Sequence, residues 1–234
     1  MKILQRGFNY SQDGPGNRLV YHLQGCNFAC RWCSNADSIP RENPAAKDCS
    51  VDEIFDEIMR SRMMFFDGGG VTFTGGEVCV QSDELIELLK LLKQNGIHTA
   101  IETNCSLPEV REVARYVDYL IADFKHYDSE IHQKWIGLPN DSVKENIAYF
   151  LESGRQIHIR IPVIHKINDE PEGFAKFFSR FDSSNAVFEF LAYHEFGKDK
   201  WKGRYQIEDG FVTPDTIKIF EETFKKYGLK TVRT

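Results

Sequence analysis

Hydrophobic and polar residues along this chain follow two periods that replace each other repeatedly. The run Asn17, Arg18, Leu19, Val20, Tyr21, His22, Leu23 and Gln24 is β-branched, aromatic and partly alternating, so it reads as a strand over 17–24. The glycines and proline of Asp13-Gly14-Pro15-Gly16 mark a turn before it. Residues 34–50 carry two prolines and few apolar positions and read as a loop. From residue 50 the period becomes helical: Val51, Ile54, Phe55, Ile58 and Met59 share one face, Ser50 and Glu53 form a capping box, and Gly68, Gly69 and Gly70 break the pattern. Short strands over 71–74, 97–103, 119–124, 156–163 and 186–193 then alternate with helices over 82–94, 108–116, 141–152 and 172–181. Thr213-Pro214 opens a last helix that ends at Gly228, and residues 230–232 add a terminal strand. Six consecutive strand–helix units imply an α/β fold with parallel strands, because parallel neighbours need crossovers and these are nearly always helices. The expected architecture is a partial (β/α)6 TIM-like barrel formed by residues 1–234 as a single domain.

Composition fits that expectation. The 234 residues are 41% hydrophobic and 27% charged, with 18 phenylalanines, as in a globular chain able to bury a sizeable core. No run approaches the roughly 18 apolar residues a membrane span needs. Residues 1–7 show no signal-peptide pattern, and a cytoplasmic location is expected. A net charge of -6 disfavours a nucleic-acid partner held through phosphates.

The candidate chemistry lies in Cys26, Cys30 and Cys33, spaced Cys-x3-Cys-x2-Cys. Three thiolates on one short loop can bind three irons of a cubane iron–sulfur cluster and leave the fourth iron open to a small molecule. Core cysteines, a zinc knuckle and a disulfide cluster are the alternatives. A zinc site wants a nearby fourth ligand, yet the next Cys or His is Cys49. Cys49, Cys79 and Cys105 are scattered, without the spacing of a disulfide framework. In barrels of this kind chemistry gathers at the carboxyl ends of the strands. Those ends carry Gly75, Gly76 and Glu77, then Glu102, Thr103 and Asn104, then Asp123 and Lys125, with Arg160 within the fifth strand and His194 after the sixth.

Together with Gly70-Val71-Thr72-Phe73-Thr74-Gly75-Gly76-Glu77, Asp123-Phe124-Lys125 and the segment Tyr193-His194-Glu195-Phe196-Gly197-Lys198-Asp199-Lys200-Trp201, the cysteine loop resembles the radical S-adenosylmethionine (radical SAM) superfamily. Within it the chain is similar to the activating enzymes of glycyl radical enzymes, of the pyruvate formate-lyase type. The resemblance implies a radical SAM fold and a [4Fe-4S] cluster on Cys26, Cys30 and Cys33. S-adenosylmethionine would chelate the open iron and be cleaved reductively, so that a hydrogen is taken from a glycine Cα of a partner glycyl radical enzyme. It assigns cofactor binding to Trp32, Gly75, Gly76, Glu77, Lys125, Arg160 and His194, a monovalent cation to Glu102, Thr103 and Asp123, and a peptide-facing role to Asp13. No cysteine-rich insert follows the loop, so this is the compact type, served by an external electron donor such as flavodoxin or ferredoxin. Asn17, Ser34, Glu102, His165, Lys166 and Ala192 depart from that type's pattern. The other readings are a radical SAM enzyme acting on a small molecule, similar to 7-carboxy-7-deazaguanine synthase, and a non-catalytic cluster or zinc protein.

Overall fold

A computed structural model describes residues 1–203 and 205–233. The strands β1 (Lys2–Tyr10), β2 (Asn17–Leu23), β3 (Lys47–Asp48), β4 (Gly70–Gly75), β5 (Thr99–Thr103), β6 (Tyr119–Asp123), β7 (Ile157–Val163) and β8 (Ala186–Ala192) form one sheet. Their order is β3-β1-β2-β4-β5-β6-β7-β8. The sheet is mostly parallel and not closed, with β3 and β8 at its two ends, as a partial barrel requires. The helices are α1 (Val51–Arg60), α2 (Ser82–Gln94), α3 (Val110–Val113), α4 (Ser129–Ile136), α5 (Asp141–Glu152), α6 (Pro171–Phe178) and α7 (Pro214–Lys226).

Two compact units interleave along the chain: Met1–Asn27, Asp37–Thr103 and Leu107–Ile121 in the first, and Phe28–Ala36, Asn104–Ser106 and Ala122–Thr234 in the second. In the first, β2 runs parallel to β4 with Leu19 beside Val71 and Leu23 beside Gly75, and β4 runs parallel to β5. Val71 and Phe73 are fully buried, and Phe73 stacks on Tyr21 with ring centroids 5.6 Å apart. The capping box expected at Ser50 and Glu53 is formed, with Ile54 and Ile58 buried on the inner face of α1. In the second unit, β7 and β8 are parallel. Phe124, Phe174, Phe178, Phe188, Phe220 and Phe224 are buried there, with pairs such as Phe188–Phe224 at 5.1 Å. The high phenylalanine content is therefore spent largely on one aromatic layer, where edge-to-face contacts add to apolar burial.

Several elements differ from expectation. β1, which pairs antiparallel with β2, has no counterpart in the periodicity, because Gln5, Arg6, Gly7 and Phe8 are all exposed and its pattern does not alternate. β3 is a two-residue strand inside the expected loop, and α4 is an unforeseen helix of eight residues. The helix expected over 108–116 is one α-turn, α3, continued as a 3-10 turn over Ala114–Tyr116. The terminal strand is a single parallel bridge between Thr231 and Phe188.

Candidate functional site

The first unit presents the Cys26 side of the cysteine loop. After β2 the chain turns at Gly25, whose φ of +97° suits glycine. The Gly25 and Cys26 amides donate to the carbonyls of Ser38 (2.8 Å) and Ile39 (3.1 Å). From β4, the Gly76 amide donates to Leu23 O (2.9 Å) and the Glu77 amide to Gly25 O (2.8 Å). A Cβ on Gly75 would sit 2.5 Å from the Leu23 nitrogen, and one on Gly76 would collide with the Gly25 carbonyl. These two glycines are thus required by the close packing of β4's end on the backbone that leads into Cys26. The Glu77 carboxylate is fully buried, accepting from the Cys79 amide (3.0 Å) and the Thr103 hydroxyl (2.7 Å). Thr74 donates to Glu102 at 2.6 Å, so two hydroxyl–carboxylate bonds join the ends of β4 and β5.

Asp13, expected to face a peptide, sits at the amino end of β2, a full strand away from Cys26 at the other end. Its carboxylate accepts from Asn9 and its carbonyl from Thr72 (2.7 Å). Its negative charge favours the buried Arg18 cation, which burial pushes down to about 10. Arg18 donates to Thr72 Oγ1 (2.6 Å), Val71 O (2.7 Å) and Pro15 O (3.0 Å). Asp13 and Arg18 therefore organise the amino end of the strands. The sequence marks Arg18 only as a polar residue in a strand.

The second unit presents Cys30 and Cys33. The Ala29 and Arg31 amides donate to the carbonyls of Ile136 (2.9 Å) and Trp135 (3.0 Å), two of the last carbonyls of α4, which an α-helix cannot satisfy internally. Gly137 closes α4 in the left-handed conformation, φ +98°, and Arg31 lies over the Trp135 ring. Phe28 packs edge-on against His132 at 5.4 Å. Burial pushes His132 down to about 4, and its Nδ1 donates to Leu138 O (2.6 Å). On the far side of the loop, Trp201 Nε1 donates to Cys33 O (3.0 Å) and Lys200 Nζ to Asn35 Oδ1 (2.9 Å). Gly197 lies against the Ser34 backbone so closely that a Cβ would collide with it. Gly197→Ala is therefore expected to push Ser34 and the adjoining Cys33 out of place, at about 1–3 kcal/mol. Thermal unfolding together with iron content after reconstitution measures this: both should fall, and an unchanged iron content would show that the contact does not shape the loop.

The Cys33 thiol is pushed up by burial, against the opposing influence of the Asn35 amide and of the Lys125 and Lys200 charges. Lys125 is buried and donates to Asp123 (2.7 Å). Trp32 is buried, whereas His194 is exposed and stacked on Phe196 at 4.5 Å. Arg160 is buried and donates through Nε to Glu189 (2.9 Å). Of the three residues expected to hold a monovalent cation, Glu102 accepts from Thr74, Thr103 donates to Glu77, and Asp123 accepts from Lys125. Lys166, one of the departures noted above, has φ +61° and is tied to Asp209 at 2.6 Å.

Among the described residues no group of three or more His, Cys, Asp and Glu side chains is gathered closely enough to hold a single metal ion. The donor chemistry nevertheless fits an iron–sulfur cluster. Cys26, Cys30 and Cys33 are not joined in disulfides, and the Asn35 amide points at Cys33 Sγ (3.4 Å), the kind of N–H to sulfur bond that tunes cluster potentials.

The model of the Radical SAM superfamily matches residues 20–178. The chain is 32% identical over 227 residues to the pyruvate formate-lyase-activating enzyme of Staphylococcus epidermidis, covering 91% of this chain and 89% of that one. It is 30% identical over 231 residues to the pyruvate formate-lyase 1-activating enzyme of Escherichia coli K12, covering 94% and 93%. The crystal structure of a domain of pyruvate-formate lyase-activating enzyme from Bacteroides vulgatus superposes with a TM-score of 0.59 at 30% identity, covering 70% of this chain and 98% of that one.

Proposed function

The chain belongs to the radical SAM superfamily and, within it, to the pyruvate formate-lyase-activating enzymes, and from that premise we propose how its residues serve a glycyl radical activase. The cofactors are a [4Fe-4S] cluster and S-adenosylmethionine. Cys26, Cys30 and Cys33 hold the cluster, a reading supported by three cysteines on one loop outside any disulfide and by the Asn35 amide aimed at Cys33. When bound, the cluster supplies the electron for reductive cleavage of the sulfonium.

The chain's own residues bind and orient. Lys125 presents an ammonium beside Asp123, and Arg160 a planar fork; both suit the methionyl carboxylate or the ribose oxygens, which recognise cations through charge-assisted hydrogen bonds. Gly75 and Gly76 offer backbone to the methionyl amine, while Glu77, locked by Cys79 and Thr103, fixes their conformation. His194 and Trp32 flank the nucleoside, through a hydrogen bond and ring contact respectively. Glu102, Thr103 and Asp123 supply oxygens for a monovalent cation.

The protein substrate is a glycyl radical enzyme of the pyruvate formate-lyase type, and reduced flavodoxin or ferredoxin delivers the electron in the cytoplasm. No helix among the described residues is long and apolar enough to cross a membrane. The observation that carries the reading is the cysteine loop braced on both flanks inside a chain that matches the activases over most of its length. Anaerobically reconstituted, reduced protein mixed with S-adenosylmethionine and the glycyl radical enzyme of the same cell should give 5′-deoxyadenosine, methionine and a persistent glycyl radical signal in the partner. Nucleoside release with no such signal would favour a small-molecule substrate instead. Replacing dithionite by reduced flavodoxin or by ferredoxin identifies the donor.

A further inference from the structure

In the parallel pairing of β7 with β8, Arg160 stands directly beside Glu189. Phe188 and Phe190, the neighbours of Glu189, pack on Phe224 of α7 at 5.1 and 4.7 Å. Side chains alternate along a strand, so Glu189 projects from the opposite face of β8, away from the helix layer. Arg160 and His158 are two residues apart on β7 and share a face by the same rule. All three are at most 5% exposed. One carboxylate oxygen, Glu189 Oε2, accepts from Arg160 Nε at 2.9 Å and lies 3.1 Å from His158 Nε2.

A buried carboxylate persists only when it is paired, and its partner is then held in one geometry. A guanidinium is rigid and planar, so holding it by Nε fixes its plane and the direction in which both terminal nitrogens point. We propose that Glu189 is the positioning residue of Arg160, setting the fork that binds S-adenosylmethionine. This rests on the assignment of Arg160 to the cofactor made above.

The test is equilibrium binding of S-adenosylmethionine to the reconstituted protein, with thermal unfolding measured in parallel, for wild type, Glu189→Gln, Arg160→Ala and the double variant. Arg160→Ala and Glu189→Gln should each raise Kd about tenfold, in the range typical of residues that orient a binding group. In the Arg160→Ala background, Glu189→Gln should change Kd by less than about twofold, because it acts only through the missing guanidinium. Equal losses in both backgrounds would mean a general structural role and overturn the proposal. An unchanged Kd in Glu189→Gln, with Arg160→Ala weakened, would overturn it too. An unchanged Kd in Arg160→Ala would instead remove the assignment of Arg160 on which it rests. Glu189→Asp, which keeps the charge but shortens the reach, serves if Glu189→Gln does not fold, and the same non-additivity with Arg160→Ala is then required.

Discussion

Cys33→Ala is expected to leave the anaerobically reconstituted protein short of iron and to reduce cleavage of S-adenosylmethionine by more than about 100-fold, beyond the 10–100-fold typical of losing an outer partner of a metal ligand. Cys33 is the most informative of the three cysteines to remove. Its carbonyl is held by Trp201, its amide donates to Cys30 O, and its sulfur meets the Asn35 amide, so the backbone should survive loss of the thiol. Iron analysis, the visible absorption of the cluster and the yield of 5′-deoxyadenosine read the outcome. Full iron incorporation and full cleavage in this variant would remove Cys33 from the cluster and return the loop to one of its other readings.

The second large effect is expected from Gly76→Ala. The added methyl meets the Gly25 carbonyl, a backbone atom that cannot swing aside as a side chain would. The cost should reach about 3 kcal/mol, the upper end for overpacking. In a chain of this length that corresponds to a fall in Tm of about 6–12 °C. Because the displaced backbone leads directly into Cys26, iron incorporation should fall with it. A variant that melts within about 2 °C of wild type and loads iron normally would show that the clash is relieved without moving the cysteine.

These two sites illustrate what the sequence discloses. Cysteine spacing is a covalent property of one short segment, and it can be read without knowing the fold. The alternation of strand and helix periods over 71–193 likewise exposes the parallel sheet, since each amphipathic pattern is local. The role of Gly76 is different. Glycine in Gly75-Gly76-Glu77 suggests close approach of something, but the approaching group includes the chain itself, about fifty residues earlier in sequence. Gly197 against Ser34 and Trp201 against Cys33 are contacts between distant positions, which no periodicity reports. The resemblance assigns Asp13 a peptide-facing role, while β2 places it beside Arg18 at the opposite strand end from Cys26. The periodicity does not report β1, because a strand with one neighbour over most of its length, β3 covering only Lys2 and Ile3, need not bury alternate residues.

The bracing of the Cys33 end of the loop also sets an order of events during synthesis. Cys30 and Cys33 emerge early, but the carbonyls of Trp135 and Ile136 follow about a hundred residues later, and Gly197, Lys200 and Trp201 follow later still. At ribosomal rates of about 5–20 residues per second, the thiols remain on an unbraced segment for roughly ten seconds or more. A fully braced loop therefore exists only in the nearly finished chain, and truncation before residue 197 removes the Gly197, Lys200 and Trp201 contacts while leaving all three cysteines in place.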